Sequence, residues 1–144
     1  MVSAVNSPDD DLTSRIIGDG GVGTIQRYAL DASAIPGGST INSVSVRTRM
    51  SSFGANAALR QGIALGANAT ESAAIVSAGG YVWRTDTNVL ARPGGGAWSV
   101  ADMATLEAYV IVDADPSNPQ VTSLRVEIDY TPGAATTGDM LLMF

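Results

Sequence analysis

The sequence predicts an all-β fold, an antiparallel jelly-roll-like β-sandwich of about eight strands. Apolar and polar residues alternate with a period of two through most segments rich in Val, Ile and Thr. The chain has sixteen glycines and six prolines, many of them between those segments, where turns are expected. No regular alternation of strands with long helical segments is visible, which argues against a parallel α/β sheet. A length of 144 residues is sufficient for one domain with its own core.

Strands in the first half of the chain are predicted over 13–17 (an edge strand), 24–30, 41–50, 57–65 and 73–76. The clearest alternation is in 41–50. One face of this strand carries Val44, Val46, Thr48 and Met50, and the other carries Ser43, Ser45, Arg47 and Arg49. In 57–65 the expected inward residues are Leu59, Ile63 and Leu65. Both segments therefore predict strands with one buried face.

Strands in the second half are predicted over 81–87, 106–113 and 121–130. The last is especially regular, with an inward face formed by Thr122, Leu124, Val126, Ile128 and Tyr130. Between the first two strands, Ser99 and Asp102 have the spacing of a capping box. They predict one short helix of one or two turns near 99–106.

The sandwich domain is predicted to occupy 13–130, between an N-terminal arm over 1–12 and a C-terminal arm over 131–144. Pro132-Gly133 interrupts the last strand, and the chain then reaches an apolar end. The candidate assembly contacts are Met140, Leu141, Leu142, Met143 and Phe144. This segment either folds back on its own sandwich or docks on a neighbouring subunit.

The composition argues against most enzyme chemistry at neutral pH. The chain has no His, Cys or Lys, and all eight basic residues are Arg. Imidazole, thiolate and amine groups are therefore missing from the catalytic repertoire. Carboxylates alone could hydrolyse a glycoside, but no spacing nominates a pair of them. We therefore expect a non-enzymatic binding or assembly module.

The net charge and the hydropathy of the chain limit the classes of partner that it can bind. A net charge of −6 and a pI near 4.3 oppose binding to nucleic acid or to an anionic membrane surface. No signal peptide is visible, and no apolar run approaches the roughly 20 residues of a membrane-spanning helix. The expected partners are consequently other proteins, or glycans.

One glycine-rich motif and two acidic clusters suggest ligands that we do not expect. Residues 18–23 match the letters of the dinucleotide-binding fingerprint, but a strand-like segment follows where that motif needs a helix. Asp9-Asp10-Asp11 and Asp113-Ala114-Asp115 could supply oxygen ligands to calcium. The alternative is that both are solvated acidic loops. No cofactor is predicted, and calcium stays an alternative.

Aromatic side chains offer a second binding chemistry. The candidates for a sugar-stacking platform are Tyr81, Trp83, Trp98 and Tyr109. Core packing is the competing interpretation, since Trp83 lies within a predicted strand and Trp98 precedes the short helix. Core packing is favoured for both tryptophans.

Three stretches, taken in order, resemble a β-sandwich domain that recurs in structural proteins of tailed bacteriophages. The first is the acidic opening at 7–14, which includes Ser7-Pro8-Asp9-Asp10-Asp11. The second is the turn and core strand at 35–49, beginning Ile35-Pro36-Gly37-Gly38. The third lies within 93–130 and includes Ala97-Trp98-Ser99-Val100-Ala101-Asp102 and the last strand. The family often has a glycine where this chain has Tyr109.

The resemblance implies a virion structural protein without catalytic or metal-binding residues. Specifically, it implies a capsid decoration (cement) protein, or a head or tail component. We expect it on the capsid exterior, assembled in the host cytoplasm. The expected state is a homotrimer bound to the major capsid protein or to other virion proteins. The alternative is a glycan-binding or adhesion module of a phage tail or fibre.

Overall fold

The computed structural model describes residues 2–6, 21–23, 25–30, 34–54, 56–80, 82, 84–114 and 119–133. These residues form nine strands and one short helix. The strands are β1 (Val2–Asn6), β2 (Ile25–Ala29), β3 (Thr40–Ser51), β4 (Ala58–Leu65), β5 (Asn68–Glu71), β6 (Ile75–Val76), β7 (Arg84–Leu90), β8 (Leu106–Ala114) and β9 (Gln120–Thr131). The helix α1 is Val100–Met103, between β7 and β8.

The strands form two antiparallel sheets. Sheet 1 has the order β1-β9-β3-β7, and sheet 2 has the order β2-β8-β4-β5, with β6 also paired to β4. The chain passes from one sheet to the other at every connection except those that join β4, β5 and β6. Every strand pairing among the described residues is antiparallel. The predicted all-β antiparallel sandwich is confirmed.

The core lies between the sheets and is filled from the predicted inward faces. Both sheets contribute aliphatic side chains that are almost completely buried, among them Val44, Val46, Met50, Leu59, Ile63, Val110, Val112, Val126 and Ile128. Leu65 and Tyr130 are partly buried and pack against the same cluster. Removal of this apolar surface from water is the main stabilising contribution.

One buried polar side chain links the two sheets. Gln61 of β4 lies on the inward face between Leu59 and Ile63, and it is fully buried. Its amide nitrogen donates to the Asp86 carbonyl oxygen at 2.9 Å, and Asn88 donates to its amide oxygen at 2.9 Å. Since Asp86 and Asn88 belong to β7 in sheet 1, the interaction crosses the core. A buried amide satisfied in this way favours one alignment of the sheets.

The predicted short helix is confirmed, and it is one turn long. Ser99 is its N-cap, and the capping box with Asp102 is complete in both directions. Arg92, from the preceding loop, donates to both oxygens of Asp102 at 2.9 and 2.8 Å. These donors, with the Arg92 hydrogen bond the largest contribution, hold the pKa of Asp102 well below its usual range. The helix start is therefore fixed by a charge-assisted network.

Some predicted boundaries differ from the observed ones. Strand β7 is Arg84–Leu90 and so ends three residues later than predicted; of the predicted start at 81–83, only Val82 is described, and it lies outside the strand. Strand β5 was not predicted, because its sequence Asn68-Ala69-Thr70-Glu71 has no apolar face. It exists because Gly66, with φ of 58°, reverses the chain so that β5 pairs along the edge of β4.

The predicted edge strand at 13–17 lies outside the described residues. Part of the segment predicted as an N-terminal arm, Val2–Asn6, forms β1 and pairs with β9. Of the predicted C-terminal arm, only 131–133 are described, and Thr131 ends β9. The three-part division into arms and sandwich stays a prediction.

We expect Asp102→Asn to lower the free energy of unfolding by about 1–2 kcal/mol at neutral pH, because it weakens the capping box and the Arg92 pair. The pKa of Asp102 is lowered by folding, so its contribution is complete above the ordinary value of 3.8 and is lost as the pH falls through the folded-state pKa. Urea unfolding of both proteins at a series of pH values tests this. A difference in stability that stays constant below pH 3.8 would contradict it.

Candidate functional site: an arginine-lined groove

The outer faces of the two sheets carry most of the charged side chains of the strands, because the inner faces are occupied by the core. Arg84 and Asp86 of the edge strand β7 are the exception among the described residues: they are in register with inward Met50 and Thr48 and pair with each other. On sheet 2, one row of neighbouring residues runs across all four main strands: Arg27, Tyr109, Gly62 and Glu71 are successive cross-strand partners. On sheet 1, two rows contain Arg47, Arg49 and Arg125. The two faces differ in the pairing of their arginines: Arg27 and Arg60 on sheet 2 contact carboxylates, whereas Arg47 and Arg125 on sheet 1 are directly opposed.

Tyr109 closes the outer face of sheet 2. Its side chain crosses Gly62 and donates a hydrogen bond to Glu71 at 2.9 Å, on the next strand but one. The Arg27 guanidinium lies over the ring, 5.1 Å from its centroid. Tyr109 is 1% exposed although it points away from the core, and burial followed by the Glu71 hydrogen bond raises its pKa to about 12. This aromatic ring occupies the space left by the glycine.

The other charges of this face are paired. Arg27 contacts Glu107 at 3.3 Å. Arg60 binds both Glu71 and Asp113, with 2.6 Å between Nε of Arg60 and Oδ1 of Asp113. Both arginines named here therefore have carboxylate partners within the domain, and the described part of this face is electrostatically satisfied.

Sheet 1 carries a shallow groove of about 230 Å³ lined by Arg47, Arg49, Thr85, Ser123 and Arg125. Two cross-strand rows build it. In one row Arg47 of β3 is directly opposite Arg125 of β9. In the other, Arg49 lies between Ser123 of β9 and Thr85 of β7. Three guanidinium groups and two hydroxyl groups therefore converge on one patch of the sheet.

The electrostatics of the groove differ from those of sheet 2. Like charges directly opposite one another across two strands are destabilising. The ion pair of Arg47 with Glu127 is long, at 3.7 Å, and both side chains are substantially exposed. Arg125 is exposed and forms no ion pair with any residue that the structure describes. The groove thus concentrates positive charge on a protein whose net charge is −6.

This arrangement can bind anions. Guanidinium groups present planar pairs of donors that match carboxylate, phosphate or sulfate oxygens, and the hydroxyl groups of Thr85 and Ser123 can complete the coordination. The lining residues contain no carboxylate for acid-base chemistry. The geometry of the groove therefore favours binding of an anion over acid-base chemistry.

Most candidates from the sequence lie outside the described residues. These are Met140, Leu141, Leu142, Met143, Phe144, Tyr81, Trp83, Asp9, Asp10, Asp11 and Asp115. Asp113 is described and binds Arg60. Within the described ranges, no three acidic side chains come together as a metal site requires. The described end of the glycine-rich motif, 21–23, is followed by strand β2 and not by a helix.

The two described aromatic candidates are both packed against the protein. Trp98 is half-buried and contacts the core cluster. Tyr109 is buried by the row described above. Tyr109 therefore presents no free ring face to a sugar, and the contact of Trp98 with the core cluster favours the core-packing interpretation for that residue.

Sequence analysis missed the groove, although it placed Arg47 and Arg49 together on the polar face of one strand. The missing information was the pairing of β3 with β9, since Arg47 and Arg125 are 78 residues apart (125 minus 47) and meet only through the sheet register. The available signal was the presence of arginine in place of small polar residues on the outward faces of two strands. That signal alone could not say which strands are neighbours.

Comparison with protein-family models, curated proteins and solved structures finds no match to this chain. In the described part of the chain, no helix has the length and apolar character needed to cross a membrane.

We expect Gly62→Ala to lower the free energy of unfolding by about 1–3 kcal/mol, because the added Cβ would lie 2.2 Å from the Tyr109 ring carbon Cζ. Gly37→Ala is the matched control, since a Cβ there meets nothing within 4 Å. Urea unfolding measures both, and a double-mutant cycle with Tyr109→Ala should show a smaller effect of Gly62→Ala. An equal loss in both backgrounds would contradict the contact.

We expect Arg125→Gln to raise the free energy of unfolding at low salt, by a value within the roughly 0.2–1 kcal/mol that cross-strand pairs contribute, because it removes a repulsive partner of Arg47. Arg125→Lys keeps the charge and should leave the stability unchanged. The gain should disappear at high salt, where exposed charges are screened. A loss of stability in Arg125→Gln would show that the arginine has a stabilising partner in the folded protein.

Proposed function

We propose that this chain is a non-enzymatic structural protein of a tailed-bacteriophage particle, and specifically a capsid decoration (cement) protein. In this proposal it binds the capsid exterior, through the sandwich and through its terminal segments. Its partners are the major capsid protein or other virion proteins, together with further copies of itself in a trimer. The sequence resemblance over roughly 7–130 is the starting point for this proposal.

The observation that carries the proposal is the strand order. Apart from the two-residue β6, eight strands divide four and four between the sheets, and the chain changes sheet at nearly every connection. We propose that this is a jelly roll, an architecture built from two Greek keys that recurs in viral capsid and lectin domains. Fold alone does not determine function, so the site supplies the second argument.

The second argument is the form of the arginine-lined groove. It is a shallow depression on the flat face of a sheet, with donors but no carboxylate in its lining. Such a surface suits docking to another molecule better than it suits enclosure of a substrate. Since Trp98 and Tyr109 are packed against the protein, we place assembly ahead of the glycan-binding alternative.

Mass spectrometry of gradient-purified phage particles that encode this chain would test the proposal. We expect the chain in the particle fraction at a copy number that scales with the capsid subunits. Its presence in the lysate but not in purified particles would overturn the proposal.

The contribution of the terminal segment is tested by the solution mass of the full-length chain and of a chain cut after Thr131. We expect a trimer that loosens on truncation, because Met140–Phe144 would no longer contribute apolar contact area. Circular dichroism should show the sandwich still folded after truncation. A truncated chain that fails to fold would contradict the arm, and monomers in both forms would mean that assembly requires the particle itself.

A further inference from the structure

We propose that the arginine-lined groove binds an extended, acidic polypeptide segment of the partner protein, with carboxylates on alternate residues. This inference rests on the proposed assembly function in one respect, the identification of the partner as a protein. The chemistry of the bound groups is argued from the groove itself.

The spacing of the arginines favours an extended segment. Arg47 and Arg49 are two residues apart on β3 and lie on the same face, so their Cα atoms are about 6.8 Å apart. Carboxylates at alternate positions of an extended chain repeat with the same distance. A segment that runs along β3 could therefore place one carboxylate at each arginine in register.

The second strand strengthens the first of these positions. Arg125 is the direct cross-strand partner of Arg47, and neighbouring strands are about 4.8 Å apart. One carboxylate placed between the two guanidinium groups would contact both and remove their mutual repulsion. At the second position, Ser123 and Thr85 flank Arg49 from either side and offer hydroxyl groups to the next carboxylate.

The contrast with sheet 2 supports a ligand. There, Arg27 and Arg60 have carboxylate partners in the domain itself. On sheet 1, two arginines are directly opposed, with one long ion pair to Glu127. The direct opposition of two arginines costs stability, and a local arrangement of this kind is expected at a functional site.

The charge of the whole protein argues against polymeric anions. A net charge of −6 repels a nucleic acid or a highly charged polysaccharide at long range. A short segment with two or three carboxylates experiences less of this repulsion, since charges beyond about 8 Å are screened at physiological salt. The groove lining also contains no aromatic ring on which a base or a sugar could stack.

Binding of two synthetic peptides would test the inference. Both contain three Asp among Thr and Gly residues, with Asp on alternate positions in one and contiguous in the other. Isothermal titration calorimetry with the full-length protein should give tighter binding of the alternating peptide. The affinity should fall with rising salt, and Arg47→Gln/Arg125→Gln should weaken it by about a hundredfold, on the basis of roughly tenfold per charge-assisted contact.

Arg27→Gln/Arg60→Gln is the matched control, because it removes the same charge from the opposite sheet. It should retain the affinity for the alternating peptide. If that double variant does not fold, Arg27→Gln compared with Arg125→Gln makes the same comparison with one charge. The groove variant should also be at least as stable as the wild type, which separates lost binding from lost folding.

Three results would overturn the inference: equal binding of both peptides, equal loss in groove and control variants, or no binding at all. Preferential binding of polygalacturonate or inorganic polyphosphate would also overturn it, in favour of a glycan or a phosphate polymer. If the groove does not bind the acidic peptide, the proposed virion function is still tested separately by mass spectrometry of the particles. Detection in purified particles does not depend on the arginines. If the chain is absent from particles but still binds the alternating peptide, the virion assignment is refuted and the inference that the groove binds acidic segments stands.

Discussion

The structure depends on one constraint: the long strands β3, β4, β8 and β9 must bury their inward faces against a single core shared by both sheets. Alternation with a period of two then decides the position of each side chain. Val44 and Val46 go inward, and Ser45 and Arg47 go outward, with no intermediate choice. Gln61 obeys the same constraint, and it is tolerated in the core because β7 satisfies its amide. Most charged groups of the strands are consequently presented on the outer faces, while Arg84 and Asp86 on the inward side of the edge strand β7 pair with each other.

The two outer faces differ in how their charged side chains are arranged. Sheet 2 covers Gly62 with Tyr109 and pairs Arg27 and Arg60 with carboxylates, so its described surface is self-contained. Sheet 1 places Arg47 opposite Arg125 and concentrates positive charge in a groove. Under the proposed assembly function, the outer face of sheet 2 would remain in solvent while that of sheet 1 docks.

The proposed docking has two parts that differ in their physical basis. The groove would act by charge-assisted hydrogen bonds, which are directional and sensitive to salt. The apolar terminal segment over 140–144 would act by burial of hydrophobic area, which is not directional. A particle surface could therefore be recognised by the groove and held by the terminal segment, with each part open to separate measurement.

The sequence by itself determined the fold class, the inward residues of β3 and β9, and the capped helix start at Ser99, because these depend on local periodicity and on contacts within three residues. It could not determine β5, whose polar residues are a strand only because β4 lies beside them. It also could not find the groove or the Tyr109 cover. Those features require the strand register, in which residues distant in the chain become cross-strand partners, and only the tertiary structure decides that register.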